Sequence, residues 1–195
     1  MAKTDPETEL AQAALKLLAK KPWSQLTLAE VAKAAKRPLA SLQSVAPNKA
    51  ALLGLILKSI GTDIAKRYRP DPGSADARDR LLDVSLTWFE VLAPHKRAVR
   101  SLYDGLKRDP LTLIAARAEA MAAANWLFVL AEADTGPALP LRALALAGIL
   151  ARAVPVWLED DKSLSKTMAR LDTDLRRTED LFGGRKPKSK AEASP

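Results

Sequence analysis

Apolar residues recur along almost the whole chain at intervals of three and four, and no stretch alternates with Val, Ile and Thr as a half-buried strand would. The pattern predicts an all-α protein of about nine helices. Leu10, Ala14, Leu17 and Leu18 share one face of a first helix over 7–20. Acids in its first turn and lysines in its last suit the helix dipole, and Pro22 ends it. Thr27-Leu28-Ala29-Glu30 has the form of a capping box opening a second helix of about two turns, striped by Leu28, Val31, Ala32 and Ala35. Pro38 starts a third short helix over 38–46. Asn48 caps a fourth over 49–68, whose inward face holds Leu52, Leu53, Ile56 and Ile60.

Two prolines and a glycine in Arg69-Pro70-Asp71-Pro72-Gly73-Ser74 forbid helical continuation and mark an internal break. Beyond it, Leu82, Leu86, Phe89 and Leu92 line one helix up to Pro94, and Val99, Leu102, Tyr103 and Leu106 line the next. Asp109-Pro110 caps and opens a long helix reaching about Asp134, and its many alanines allow neighbours to approach closely. Asp134-Thr135-Gly136-Pro137 reads as a turn. An apolar helix follows from Pro140 to Trp157, kinked at Pro155. The last amphipathic helix, after Ser163, carries Leu164, Met168, Leu171, Leu175 and Phe182, and Gly183-Gly184 stops it. The tail from Arg185 to Pro195 is basic, poor in apolar residues and expected to be disordered.

Composition narrows the chemistry. With 195 residues, 48% of them apolar, the chain has material for a real core. The absence of cysteine removes disulfides, thiolate metal sites and a cysteine nucleophile. The single histidine, His95, has no second histidine for a metal site and reads as an exposed junction residue. No Gly-x-Ser-x-Gly or phosphate-cradling glycine loop is present, and Glu159-Asp160-Asp161 reads as a solvated helix end, so no enzymatic activity, metal or cofactor is expected. The N-terminus lacks the pattern of a signal peptide and no unbroken apolar run reaches membrane-spanning length, which predicts a cytoplasmic protein. The net charge of +8 is unevenly placed: 8 Lys/Arg face 4 Asp/Glu in residues 1–50, 19 face 18 in 51–182, and 4 face 1 in 183–195. Basic extremities on a near-neutral body suit contact with a polyanion, either nucleic acid or an anionic membrane, and suit plain solubility as well.

The order of the first 60 residues, with a capped two-turn helix, a short turn, a second short helix and a long helix begun by Pro47-Asn48-Lys49, resembles the TetR family of transcriptional regulators. Leu26 to Ala35 is similar to the first helix of that family's helix-turn-helix, and Pro47 to Leu53 to the start of its fourth helix. The resemblance implies a helix-turn-helix unit over 1–48 and a helical ligand-binding and dimerisation domain over 49–182. It also implies a homodimer, a double-stranded DNA operator and repression relieved by a small apolar effector. Its reader helix falls on 38–46, where Lys36 stands for the family's glycine, Pro38 for a capping serine, Leu39 for a lysine, Gln43 for a tyrosine and Ala46 for a phenylalanine. Gln43 can bond adenine bidentately, Ser41 and Ser44 can reach a base or phosphate, and Lys36, Arg37 and Lys49 can neutralise phosphates, with Thr27 and Asn48 at the adjoining helix starts. The reader helix itself has no cation, and Leu39 is expected to be exposed.

A second, shorter resemblance runs through Val156-Trp157-Leu158-Glu159-Asp160-Asp161, Leu164, Thr167-Met168-Ala169, Leu171-Asp172 and Leu175-Arg176. It is similar to the C-terminal region of TetR-fold lipid-binding accessory proteins of ubiquinone biosynthesis, and implies a lipid or isoprenoid ligand and a membrane surface in place of DNA. Under either reading Trp88, Phe89, Tyr103, Trp126, Phe128 and Trp157 are candidate pocket walls, and ordinary core packing is their alternative. Tyr103, Asn125 and Arg152 are candidate polar handles, and Arg152 can equally pair with Glu159. The alanine-rich helix after Pro110 and the apolar helix from Pro140 are candidates for an intersubunit four-helix bundle, or for burial inside the monomer.

Overall fold

The computed structural model describes residues 5–70, 76–133 and 136–178, and every regular element among them is helical. The order is α1 (Pro6–Leu18), a 3-10 turn (Trp23–Gln25), α2 (Leu28–Ala34), α3 (Leu39–Val45), α4 (Lys49–Arg67), α5 (Ala77–Leu92), a second 3-10 turn (Ala93–His95), α6 (Lys96–Leu106), α7 (Pro110–Ala115), α8 (Arg117–Leu130), α9 (Leu139–Leu158) and α10 (Ser165–Arg177). The expected break at 71–74, the start of the turn at 134–135, and Phe182 with the glycine stop and basic tail lie outside the described residues.

Local signals set most helix starts. Thr27 caps α2 with the full reciprocal box: its hydroxyl accepts from Glu30 N at 3.3 Å, and Glu30 Oε2 accepts from Thr27 N at 3.0 Å. Asn48 Oδ1 accepts from Ala51 N at 2.9 Å and begins α4. Pro38, expected as the first helical residue of α3, is instead the residue before it, because its ψ of 145° is extended. The single long helix expected after Pro110 is two helices, α7 and α8, broken at Ala116 where ψ is 1°. Alanine propensity favours continuation there, so packing decides: α7 leans on α4 and α6, whereas α8 lies against α4 and α9. Glu159-Asp160-Asp161 is not wholly solvated. Asp160 is buried and closes the start of α10 from outside it, its Oδ2 accepting from Thr167 N and Oγ1, each at 2.8 Å. Burial opposes its charge, but these bonds and one from Asp161 N outweigh it and hold the carboxyl below its ordinary pKa.

One core runs from Leu10 in α1 to Leu175 in α10. α1 packs on α2, α4 and α6; α4 packs on α5 and α8; α8 packs on α9; and α10 covers α5 and α9. Leu52, Ile56 and Ile60 point into this core as their spacing requires, with Leu53 partly buried. α4 docks on α8 through two positions seven apart: a Cβ on Gly54 would meet the Glu119 carboxylate at 2.5 Å, and one on Gly61 would meet Trp126 at 3.0 Å. α9 passes through Pro155 to Leu158 without ending. By length and composition α9 alone among the described helices is apolar enough to cross a membrane, with a mean hydropathy of 1.6 and 39% of it buried. Arg142 and Arg152 break it into shorter apolar runs, which is why no unbroken run is visible in the sequence.

The turn after α2 places a lysine where the backbone favours glycine. Lys36 has φ of 55°, Arg37 N donates to Ala32 O at 2.9 Å and Lys36 N to Lys33 O at 3.1 Å, the two bonds of a Schellman motif. A side chain in this left-handed region is strained. Lys36→Gly is therefore expected to raise stability by about 0.5 to 1 kcal/mol in urea unfolding, after the glycine's larger unfolded entropy is allowed for. A loss of stability in that experiment would mean that the lysine stem contributes contacts larger than the strain.

Candidate nucleic-acid interface and apolar cavity

α3 is held on α2 and presents almost all of itself outward. Leu42 is its one buried residue, while Ser41, Gln43 and Ser44 are exposed together with Leu39 (51%) and Val45 (36%). Ser44 Oγ donates back to Ser41 O at 3.0 Å and keeps its capacity to accept, and Gln43 has no internal partner among the described residues. Lys36 stands exposed at the turn.

The remaining expected contact residues are engaged in the frame. Thr27 and Asn48 serve as helix caps. Arg37 pairs with Glu9 across 28 residues, its Nε 2.9 Å and its Nη2 2.7 Å from Glu9 Oε2. Lys49 Nζ lies 5.2 Å from the Trp23 ring centroid and donates to Trp23 O at 2.9 Å and Ser24 O at 3.3 Å, so it binds the 3-10 turn to the start of α4. No local spacing announces these long-range ties. They fix the angle between α1, α2 and α4, and so the pose of α3.

Glu30 reinforces that frame. Lys21 and Thr27 donate to its carboxylate, and these hydrogen bonds, that of Lys21 foremost, lower its pKa from 4.5 to about 2. The folded value lies below the unfolded one, so the contribution is fully present above pH 4.5 and is lost as pH falls through about 2. We expect the thermal midpoint to fall on acidification from about pH 6 to about pH 2.5, and the fall to be shallower in Glu30→Gln. Identical acid limbs for the two proteins would show that the Lys21–Glu30 pair is too screened to stabilise α2.

A second feature lies inside the helical body. A cavity of about 330 Å³ opens between α4, α5, α6, α8 and α9, with Leu113 of α7 at its edge. Ile56, Ile60, Leu102, Leu127, Leu150 and Val154 are typical of its lining. Of the residues expected to face a ligand, Trp88 and Tyr103 do so, whereas Phe128 and Trp157 are buried core residues outside the cavity. Phe89 does not line it, because the next residue on a helix is turned by about 100°. It is fully buried instead, 5.6 Å from Trp157 and edge-on to Trp88 at 4.8 Å. Trp126 faces α4 and donates to Gly61 O at 3.1 Å. Arg152 is exposed and pairs at 3.4 Å with buried Asp174, which Arg170 also reaches at 2.9 Å, while Glu159 takes Arg100 at 2.6 Å. Asn125 is outside the cavity lining, and its buried Oδ1 has no hydrogen-bond partner. His95 is partly buried rather than fully exposed, and that burial lowers its pKa, with Asp63 opposing the shift. Among the described residues no three His, Asp or Glu side chains gather as a metal site.

No family model matches the chain, and no curated protein matches it in sequence. Solved structures match in fold. A TetR transcriptional regulator from Rhodococcus sp. RHA1 superposes with a TM-score of 0.64 at 14% identity, covering 92% of this chain and 97% of its own. A tetR-family transcriptional regulator from Streptomyces coelicolor gives 0.54 at 19% identity, covering 93% of this chain and 82% of its own. The expectation drawn from the helix order is met at the level of architecture: the chain is all-α and has the fold of TetR-family transcriptional regulators, through the body as well as the first 60 residues.

Proposed function

We propose that the protein is a ligand-responsive transcriptional regulator acting in the cytoplasm as a homodimeric repressor. The observation that carries this reading is α3: a short helix between two capped neighbours, α2 and α4, whose frame the Arg37–Glu9 pair ties to α1, buried only through Leu42, with Gln43, Ser41 and Ser44 exposed. A helix held this way can enter a major groove, where Gln43 would read a base and the exposed Lys36 would supply a phosphate contact, with Lys49 holding the start of α4 in place. The body contributes the second copy's docking face. Val129, Leu141 and Leu144 are exposed at 44%, 55% and 38% on α8 and α9, beside alanines that permit close helix approach. An apolar effector in the cavity would contact α4 through Ile56 and Ile60, and α4 begins at Lys49 beside the reader unit. Differential affinity of the effector for two placements of α4 would couple cavity to operator.

Selection of binding sites from fragmented genomic DNA at near-physiological salt tests the reading, with enrichment of a palindromic element expected. On that element Gln43→Ala is expected to weaken binding by about 1 to 3 kcal/mol, and Lys36→Gly to lower the salt slope by about one. Unchanged affinity in both variants would remove the assigned contacts. Recovery of only salt-sensitive, sequence-indifferent fragments would favour the second reading, a TetR-fold lipid carrier. That alternative is supported by the absence of any cation on α3 and by the exposure of Leu39 and Val45.

A further inference from the structure

The lining of the central cavity is almost wholly aliphatic, and its one charged residue is Lys107. Lys107 immediately follows α6, is exposed, and places its Nζ 4.0 Å from the centroid of the Tyr103 ring, itself part of the wall. No carboxylate among the described residues pairs with it. An apolar slot with a single unpaired cation at its rim selects for one kind of molecule. The chain of an amphiphile gains by leaving water, whereas its charge stays where solvent and a counter-charge are both at hand. A neutral apolar ligand would fill the slot but leave Lys107 without a role, and a dianion would meet only one cation.

We infer that the ligand is an aliphatic monoanion, a single-chain carboxylate whose tail fills the cavity and whose head rests on Lys107 beside Tyr103. This rests on the proposal that the cavity is the effector site. At about 330 Å³ the cavity is of the size that takes one small ligand, so a single chain of medium length is the probe to use. Leu113 borders the same cavity from α7, where the neighbouring Leu111 and Ile114 are exposed at 79% and 70%, so the approach to the slot is apolar as well.

Calorimetric titration of the full chain with dodecanoate below its micellar concentration, and with dodecanol below its solubility limit, tests the inference. Dodecanoate is expected to bind about tenfold or more tightly than dodecanol, the size of a charge-assisted contact. Lys107→Gln is expected to bring the two ligands to equal affinity without weakening dodecanol, and Lys107→Arg to restore the preference. A merely structural lysine would shift both ligands together. Equal affinities in the unaltered protein, or a preference that survives Lys107→Gln, would overturn the head-group inference while leaving the cavity as an apolar site. Failure of both ligands to bind would remove the effector-site reading, and the inference with it.

Discussion

Trp157→Ala is expected to cost about 3 to 5 kcal/mol, the upper range for truncating a large buried ring. Trp157 is 1% exposed and joins three helices. It lies in α9, its ring packs 5.6 Å from Phe89 of α5, and Lys96 of α6 holds its Nζ 5.3 Å from the same ring while donating to Asp160 O at 2.7 Å. Removing the indole leaves Phe89 and the Lys96 stem facing a void that three separately anchored helices cannot close together. Domains of this size have only about 5 to 15 kcal/mol in total, so the variant should unfold at much lower urea, with an unchanged slope if the native surface is otherwise intact. A loss below about 1 kcal/mol would show that the site collapses and that Trp157 is not the joint its contacts describe.

The sequence makes the helices legible because their signals are local. Thr27 with Glu30, and Asn48 with the amide three residues on, are read from spacing alone, and the apolar stripe of α4 repeats with the helix period. What escapes is whatever tertiary packing decides against local preference. Ala116 carries no breaking signal, yet α7 and α8 part there. Arg37 and Lys49 look like free cations in the sequence, and their partners, Glu9 and the Trp23 carbonyl, lie 28 and 26 residues away. The aromatic candidates separate for a geometric reason. Trp88 reaches the cavity and Phe89 the core because adjacent helical residues cannot share a face, and a one-residue error in helix phase exchanges them. Lys107 gave no signal as a cavity residue, since a lysine at a helix end is ordinary dipole complementation until its neighbours are known.

Gly105→Leu is expected to destabilise by about 3 kcal/mol, the upper end for forcing side-chain volume into a filled contact. A Cβ on Gly105 of α6 would collide with Trp23 Cβ and stand 2.8 Å from its Cδ1, and Trp23 is itself 1% exposed. The near atom is the root of the indole rather than a flexible tip, so relief requires the 3-10 turn to move. That turn is tied on both sides: Ser101 Oγ of α6 donates to Lys21 O at 2.9 Å, and Trp23 O holds Lys49 at the start of α4. The sign of Gly105→Ala is the sharper test. Helix propensity alone would make it stabilising by about 0.5 to 1 kcal/mol, so a net loss in urea unfolding isolates the Trp23 contact. If the contact is real, Trp23→Ala and Gly105→Leu should combine for less than the sum of their separate losses, because the smaller residue vacates the space the larger one needs. Additive losses would place the damage elsewhere in α6. A displaced turn also carries Lys49 with it, so under the proposed function Gly105→Ala should weaken operator binding even in the fraction that stays folded, whereas a variant destabilised at Trp157 should bind normally once folded.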